Sequence, residues 1–232
     1  MISRNAKIRD GLIRAAAEGR LHHAYILSGP ARDAKIACVE DFAAAIFSEG
    51  GGGLFGGNSD PVTQKDRIRR RNHPDFYRIE ELEDPEGGRS VLEQIRELPK
   101  ILAYPPLESS RRVILIPEAA DLNDSAYNSI LKILEEPPTH SMFFLLCRDA
   151  GELLQTINSR CQVLRFAPLS DAEILEIVPE ASREMDPGTL LGWSEGAEER
   201  ARFLLETESS MALLKSSCEM LLDLWEIGRA HV

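Results

Sequence analysis

The stretch Gly29-Pro30-Ala31-Arg32-Asp33-Ala34-Lys35-Ile36 follows a short apolar run, Ala24-Tyr25-Ile26-Leu27. It sets a glycine and a lysine at the spacing of a phosphate-binding loop, G-x-x-x-x-G-K-[ST]. Such a loop works because glycines let backbone amides converge on phosphate oxygens while a Ser or Thr hydroxyl holds magnesium. Here Ala34 replaces the second glycine, Ile36 replaces the hydroxyl, and Asp33 brings negative charge to the place of the phosphates. Each change opposes nucleotide binding. The acidic pair that such ATPases carry after a core strand, one carboxylate for the metal and one for the attacking water, reads Pro117-Glu118. Magnesium therefore loses a partner at two independent positions, and hydrolysis by this chain is not expected.

By residue type alone, a lone lysine at a helix start is a surface group, and a lone glutamate after a strand caps the next helix. With their partners missing, Gly29, Pro30, Lys35 and Glu118 are expected as remnants of a nucleotide site, without a working role. No metal site is expected. Ser159-Arg160-Cys161, taken alone, reads as an arginine paired with a carboxylate on its own surface.

The elements that must position these residues follow from apolar periodicity. Residues 6–19 carry Ile8, Leu12, Ile13 and Ala16 at helical spacing. Ala24 to Leu27 reads as a buried strand, and Lys35 to Phe47 as an alanine-rich helix. Residues 48–61, with Gly50-Gly51-Gly52-Gly53 and Gly56-Gly57, read as a flexible surface loop. The basic stretch that follows (Lys65, Arg67, Arg69, Arg70, Arg71) is either a solvated helix face or a phosphate-contacting patch. Asp75 to Ile79 is a strand, and Glu83 to Arg89 a charged connection. Ser90 to Leu102 is a helix with Leu92, Ile95, Leu98 and Leu102 on one face and a capping box from Ser90 and Glu93. Arg112 to Ile116 is a strand of the type buried on both faces of a parallel sheet. Ser125 to Glu136 is a helix stopped by Pro137-Pro138, and Met142 to Cys147 and Val163 to Phe166 are further strands. Strands alternating with helices predict an α/β domain with a mainly parallel sheet flanked by helices, and Pro168 marks a boundary to helical sequence.

Bulk properties agree with a folded, water-soluble chain. It has 232 residues, 43% hydrophobic and 28% charged, with a formal net charge of −11 that gives no global attraction for nucleic acid. The longest apolar runs are too short to span a bilayer, and the N-terminus lacks a signal-peptide pattern, so a cytoplasmic location and no membrane partner are expected. The four cysteines, Cys38, Cys147, Cys161 and Cys218, form no C-x-x-C pair. That argues against zinc and against a disulfide framework.

Several blocks carry a family resemblance. Leu21-His22-His23-Ala24-Tyr25 resembles the opening of bacterial clamp-loader AAA+ subunits, and His73-Pro74-Asp75 resembles another of their landmarks. So does Ile95-Arg96-Glu97-Leu98 with the approach from Pro105 to Val113. The most specific block runs from Leu122-Asn123 through Asn128-Ser129-Ile130-Leu131-Lys132-Ile133-Leu134-Glu135-Glu136-Pro137-Pro138. It is followed by Leu153-Leu154-Gln155-Thr156-Ile157-Asn158-Ser159-Arg160-Cys161-Gln162. The resemblance covers residues 8–215 and implies a P-loop NTPase fold of the AAA+ type over 1–167 with a small helical lid over 168–214.

Within that family the motor subunits keep an intact phosphate loop and a four-cysteine zinc module, while delta-prime subunits often lose the nucleotide site. The damaged loop and the cysteine-free glycine segment select the delta-prime type. The resemblance then implies a non-catalytic stator of the DNA polymerase III clamp loader, a subunit of that holoenzyme. Its expected partners are the gamma/tau motor subunits and the delta subunit, with the sliding clamp and primed DNA met through the complex. ATP and magnesium would be bound by partner subunits, and no cofactor by this chain. It also implies that Arg160, within Ser159-Arg160-Cys161, is a finger projecting into a neighbouring motor's ATP site, a task suited to a permanently charged fork of donors.

Two departures agree with a subunit that does not read ATP. Cys147-Arg148-Asp149 stands where the family senses nucleotide with Thr or Asn. Ala197, in Gly192-Trp193-Ser194-Glu195-Gly196-Ala197, stands at a sensing arginine, with Arg200 and Arg202 as nearby substitutes. Residues 215–232 are expected to hold the start of a helical collar domain. An artificial tail is expected from Glu226, because Ile227-Gly228-Arg229-Ala230-His231-Val232 matches translated sequencing adapter. A longer assembly carrying those residues before a natural stop contradicts that expectation. Two alternatives remain at this point: a motor subunit of the same loader, and a stand-alone interaction module of AAA+ ancestry.

Overall fold

The computed structural model describes residues 4–49, 60–80, 89–177 and 187–206. The glycine-rich segment, most of the connection before Arg89, and the expected collar start and tail lie outside the described residues. The chain divides into two compact units, Met1–Ala167 and Pro168–Val232.

The first unit is built on five strands: β1 (Ala24–Ser28), β2 (Phe76–Arg78), β3 (Arg112–Ile116), β4 (Ser141–Cys147) and β5 (Gln162–Arg165). Their order is β2-β3-β4-β1-β5, and every neighbouring pair is parallel. The three central strands are buried at every residue, which is why their sequences are continuous apolar runs. Alternate residues then face opposite layers. Tyr25, Leu27, Val113, Leu115, Phe144 and Leu146 pack with Leu12, Val39, Phe42 and Ile68, which come from α1 (Arg4–Ala17), α2 (Arg32–Ser48) and α3 (Pro61–Arg69). Ile26, Ile114, Ile116, Phe143 and Leu145 pack with Ile95, Leu98, Ile130, Ile133 and Ile157, from α4 (Val91–Leu102), α5 (Asp124–Glu135) and α6 (Gln155–Asn158).

Helix ends follow local chemistry. α1 stops where Gly19 takes φ +65°, with Gly19 N–H donating to Ala16 and Arg20 N–H to Ala15, a closure that a side chain at Gly19 would strain. α4 has the reciprocal capping box: Ser90 Oγ accepts from Glu93 N–H and a Glu93 carboxylate oxygen accepts from Ser90 N–H. α5 is capped by Asn123 Oδ1, which accepts from Ala126 N–H at 2.9 Å. α2 begins at Arg32, three residues before the predicted start, because the altered phosphate loop winds directly into helix.

Asp75 joins two of the sequence landmarks. Its fully buried carboxylate accepts from the backbone N–H groups of Leu107, Glu108 and Ser109 at 2.8–2.9 Å and from Ser109 Oγ at 3.0 Å. The buried Arg112 guanidinium stands 3.7 Å away and donates to the carbonyls of Ile101, Tyr104 and Pro105. A carboxylate removed from water needs this many donors. Asp75 thereby fixes the loop that delivers the chain into β3.

In the second unit, α7 (Asp171–Ile177) opens with Ser170 and Glu173 in a capping box, and α8 (Pro187–Ser194) precedes α9 (Glu198–Glu206). Gly196 has φ +73°, and a Cβ there would stand 2.4 Å from that of Pro168 and 2.8 Å from the Leu169 carbonyl oxygen. Leu169 N–H donates to the Gly196 carbonyl. The turn therefore needs glycine for close approach of backbone.

Candidate nucleotide site and trans-acting arginine

The altered loop lies at the carboxyl end of β1, where a parallel sheet of this kind binds ligands. Gly29 has φ +150°, and its N–H donates to the Cys147 carbonyl at the end of β4. A Cβ on Gly29 would sit 2.4 Å from the Phe166 carbonyl oxygen. The glycine is thus required by the chain leaving β5. Ala31, fully buried, is the N-cap of α2 and supplies no side-chain acceptor.

Lys35 is a correction to the sequence reading of a surface lysine. It is 2% exposed and folds back over the loop, where its ammonium donates to the carbonyls of Gly29 at 2.5 Å and Cys147 at 2.7 Å. An ammonium is tolerated at such depth when acceptors surround it, and strand-end carbonyls provide them. Ile36 is buried in the core. Pro30 lies between Gly29 and the buried Ala31.

Glu118 follows β3 and precedes a short 3-10 turn, Ala119–Asp121, yet makes no side-chain cap there, contrary to the bland expectation for it. Its carboxylate pairs with the Arg32 guanidinium from the first residue of α2, and Arg32 also stands 3.6 Å from Asp33. Arg32 is the residue that sequence reasoning missed: it lies in the middle of the altered loop, but nothing in its local spacing points to Glu118. At this loop Ile36 and Pro117 offer no oxygen ligand for magnesium, and the lysine ammonium is hydrogen-bonded to backbone carbonyls. A neighbouring cavity of about 460 Å³ opens beside Glu118, lined by Ile79, Glu80, Asp121, Leu122 and Asn123. Neither Gly29 nor Lys35 lines it. At the expected sensing position, Cys147 is buried, and that burial pushes its thiol up to about 11. Cys38 and Cys161 are pushed up to about 12, chiefly by burial, and all three are free thiols. Ala197 carries no cation, while Arg200 pairs with Glu195.

Ser159-Arg160-Cys161 follows the short helix α6. That helix is anchored by the fully buried Ile157 and by Asn158 Nδ2, which donates to the carbonyls of Ala150 and Leu153. Ser159 Oγ donates to the Thr156 carbonyl, and Cys161 packs against the core. The Arg160 side chain, 34% exposed, donates through Nη1 to the Thr156 carbonyl at 2.9 Å and through Nη2 to Glu135 Oε1 at 3.0 Å. In the isolated chain Arg160 therefore adopts the self-paired arrangement that its residue type alone suggested. Its partner Glu135 is the last residue of α5, so the two most specific sequence blocks meet in this ion pair.

The basic stretch is a different matter. Lys65 pairs with Asp41, Arg67 with Glu108 through two bonds at 2.6 and 2.9 Å, and Arg69 with Glu40 at 3.4 Å. Arg70 pairs with Asp66 at 3.1 Å and Arg71 with Glu80. Each cation meets a carboxylate, while Arg69, Arg70 and Arg71 stay exposed, as on a solvated face.

Sheet order, all-parallel pairing and a loop-to-helix turn after β1 define an AAA+ type P-loop NTPase fold with an altered nucleotide site. In agreement, a gamma subunit-related DNA polymerase III protein from Thermotoga maritima superposes with a TM-score of 0.51 at 20% identity, over 90% of this chain and 61% of that one. The chain belongs to the family described as DNA polymerase III, delta subunit, whose pattern matches residues 4–170. It is 32% identical to the DNA polymerase III subunit delta' of Bacillus subtilis over 163 residues, 70% of this chain and 47% of that protein. It is 38% identical to the delta' subunit of Escherichia coli over 98 residues, 41% of this chain and 28% of that protein. It is also 30% identical to the DNA polymerase III subunit gamma of Buchnera aphidicola from Acyrthosiphon pisum over 160 residues, 69% of this chain and 42% of that protein. The matched part of the chain spans just under half the length of these delta' and gamma relatives. Among the described residues, no helix is long and apolar enough to cross a membrane.

Proposed function

We propose that this chain is the non-catalytic, delta-prime type of clamp-loader subunit. It serves as a stator beside gamma/tau motor subunits and the delta subunit while they use ATP to load the sliding clamp onto primed DNA. ATP and magnesium are held by the motors, this chain binds no zinc, and the assembly is cytoplasmic. The observation that carries this reading is the self-satisfied loop: Lys35 is bound to two carbonyls and Arg32 to Glu118, at a site already short of magnesium ligands. Its active contribution is Arg160, which lies on an anchored turn at the surface and reaches the ATP of an adjacent motor.

The motor alternative has the gamma relatives in its favour, at identity close to that of the Bacillus subtilis delta' subunit. Ile36 and Pro117 oppose it. The test is a loader reconstituted from motor subunits, delta subunit and this subunit, with clamp and primed DNA. Arg160→Ala is expected to remove the activity of one motor site with assembly intact. Unchanged turnover in an intact assembly overturns the trans-acting role.

A further inference from the structure

We infer that Glu135 is a latch on Arg160, holding the guanidinium against its own subunit until the triphosphate of an adjacent subunit draws it away. This rests on the trans-acting role of Arg160 proposed above. Glu135 ends α5 and is followed by Glu136, so two carboxylates crowd the helix C-terminus, where the helix dipole favours cations. Helix stability therefore gives no reason for a glutamate at this position. What Glu135 does have is Arg160 Nη2 at 3.0 Å, brought to it across the contact of α5 with α6.

The pair is built to open. Both side chains are solvent-accessible, 34% for Arg160 and 53% for Glu135, and exposed pairs of this kind are weak. The Thr156 carbonyl holds Nη1 from within the same turn and keeps the fork near the surface when Glu135 lets go. A triphosphate carries more charge than one carboxylate and matches the fork better, so it wins the exchange. Until then the carboxylate neutralises the finger and competes with nucleotide for it. Glu135 thus acts on the adjacent site through Arg160, as a positioning residue that lowers apparent nucleotide affinity.

The reconstituted loader separates the two proposals. Steady-state ATP turnover against ATP concentration is measured for the unaltered protein, Glu135→Gln, Arg160→Ala and the double variant. Glutamine keeps the shape and removes the charge. The latch predicts that Glu135→Gln lowers the apparent KM for ATP by about twofold to fivefold, the strength of an exposed pair, with kcat unchanged. It also predicts unchanged or raised thermal stability and no effect of Glu135→Gln in the Arg160→Ala background. If KM stays the same or rises while Arg160→Ala still impairs turnover, the latch is overturned and the finger stands. A KM shift that persists without Arg160 also overturns the latch. If Arg160→Ala is without effect, both fall.

Discussion

Lys35 and Cys147, 112 positions apart, meet where the lysine ammonium donates to the Cys147 carbonyl at 2.7 Å. The group that would neutralise phosphate in a working loop instead closes the ends of β1 and β4. The same bond makes Lys35 a structural residue, with consequences for stability.

Lys35→Met is expected to destabilise the fold by about 1–3 kcal/mol, because it takes the ammonium donor from the Gly29 carbonyl and leaves the Cys147 carbonyl only the Gly29 N–H. Urea denaturation measures this directly. An unchanged midpoint would mean that the ammonium is dispensable and that the loop is open in solution.

Asp75→Ala is expected to cost about 3–5 kcal/mol, since it strands three backbone N–H groups and leaves the buried Arg112 without its nearest carboxylate. Ser109→Ala, which removes one of the donors, is expected to cost about 1 kcal/mol. Comparable losses from the two variants would contradict the central place given to Asp75.

His73 is buried against Phe47, with ring centroids 4.2 Å apart, and its Nδ1 accepts from Asp75 N–H. Burial first, then the charge of Arg67, lowers its pKa to about 4. The unfolded chain therefore binds a proton between pH 6.5 and 4 that the folded chain refuses, so stability falls as pH falls through that window. The loss amounts to about 3 kcal/mol once pH is below 4. Denaturation midpoints measured across this range are expected to show that slope, and His73→Asn to flatten it.

The basic stretch is expected to contribute little to DNA binding, because each of its cations is paired with a carboxylate. Lys65→Ala and Arg70→Ala should leave the salt dependence of primed-DNA binding by the assembled loader unchanged. A shallower dependence, by about one phosphate contact per substitution, would show that these pairs open onto DNA.

The central sheet was legible because strands buried on both faces are written as continuous apolar runs, as in Arg112 to Ile116 and Met142 to Cys147. The Ser90–Glu93 capping box was legible because its partners are local. Long-range pairing was not. Lys35 looked like a surface group because Cys147, whose carbonyl it meets, carries no side-chain mark of that contact. Gly29 looked like a phosphate-loop residue, while its need for glycine comes from Phe166. Arg32 with Glu118, Arg67 with Glu108, and Arg160 with Glu135 join charges from distant elements, and the fold is what selects each partner among many carboxylates.

The most direct test of the account is a titration of the protein with a fluorescent ATP analogue and magnesium. The self-satisfied loop predicts no saturable binding up to millimolar nucleotide and no rise in thermal stability. Saturable, magnesium-dependent binding that unlabelled ATP displaces would contradict it, and would place this chain with the motor subunits.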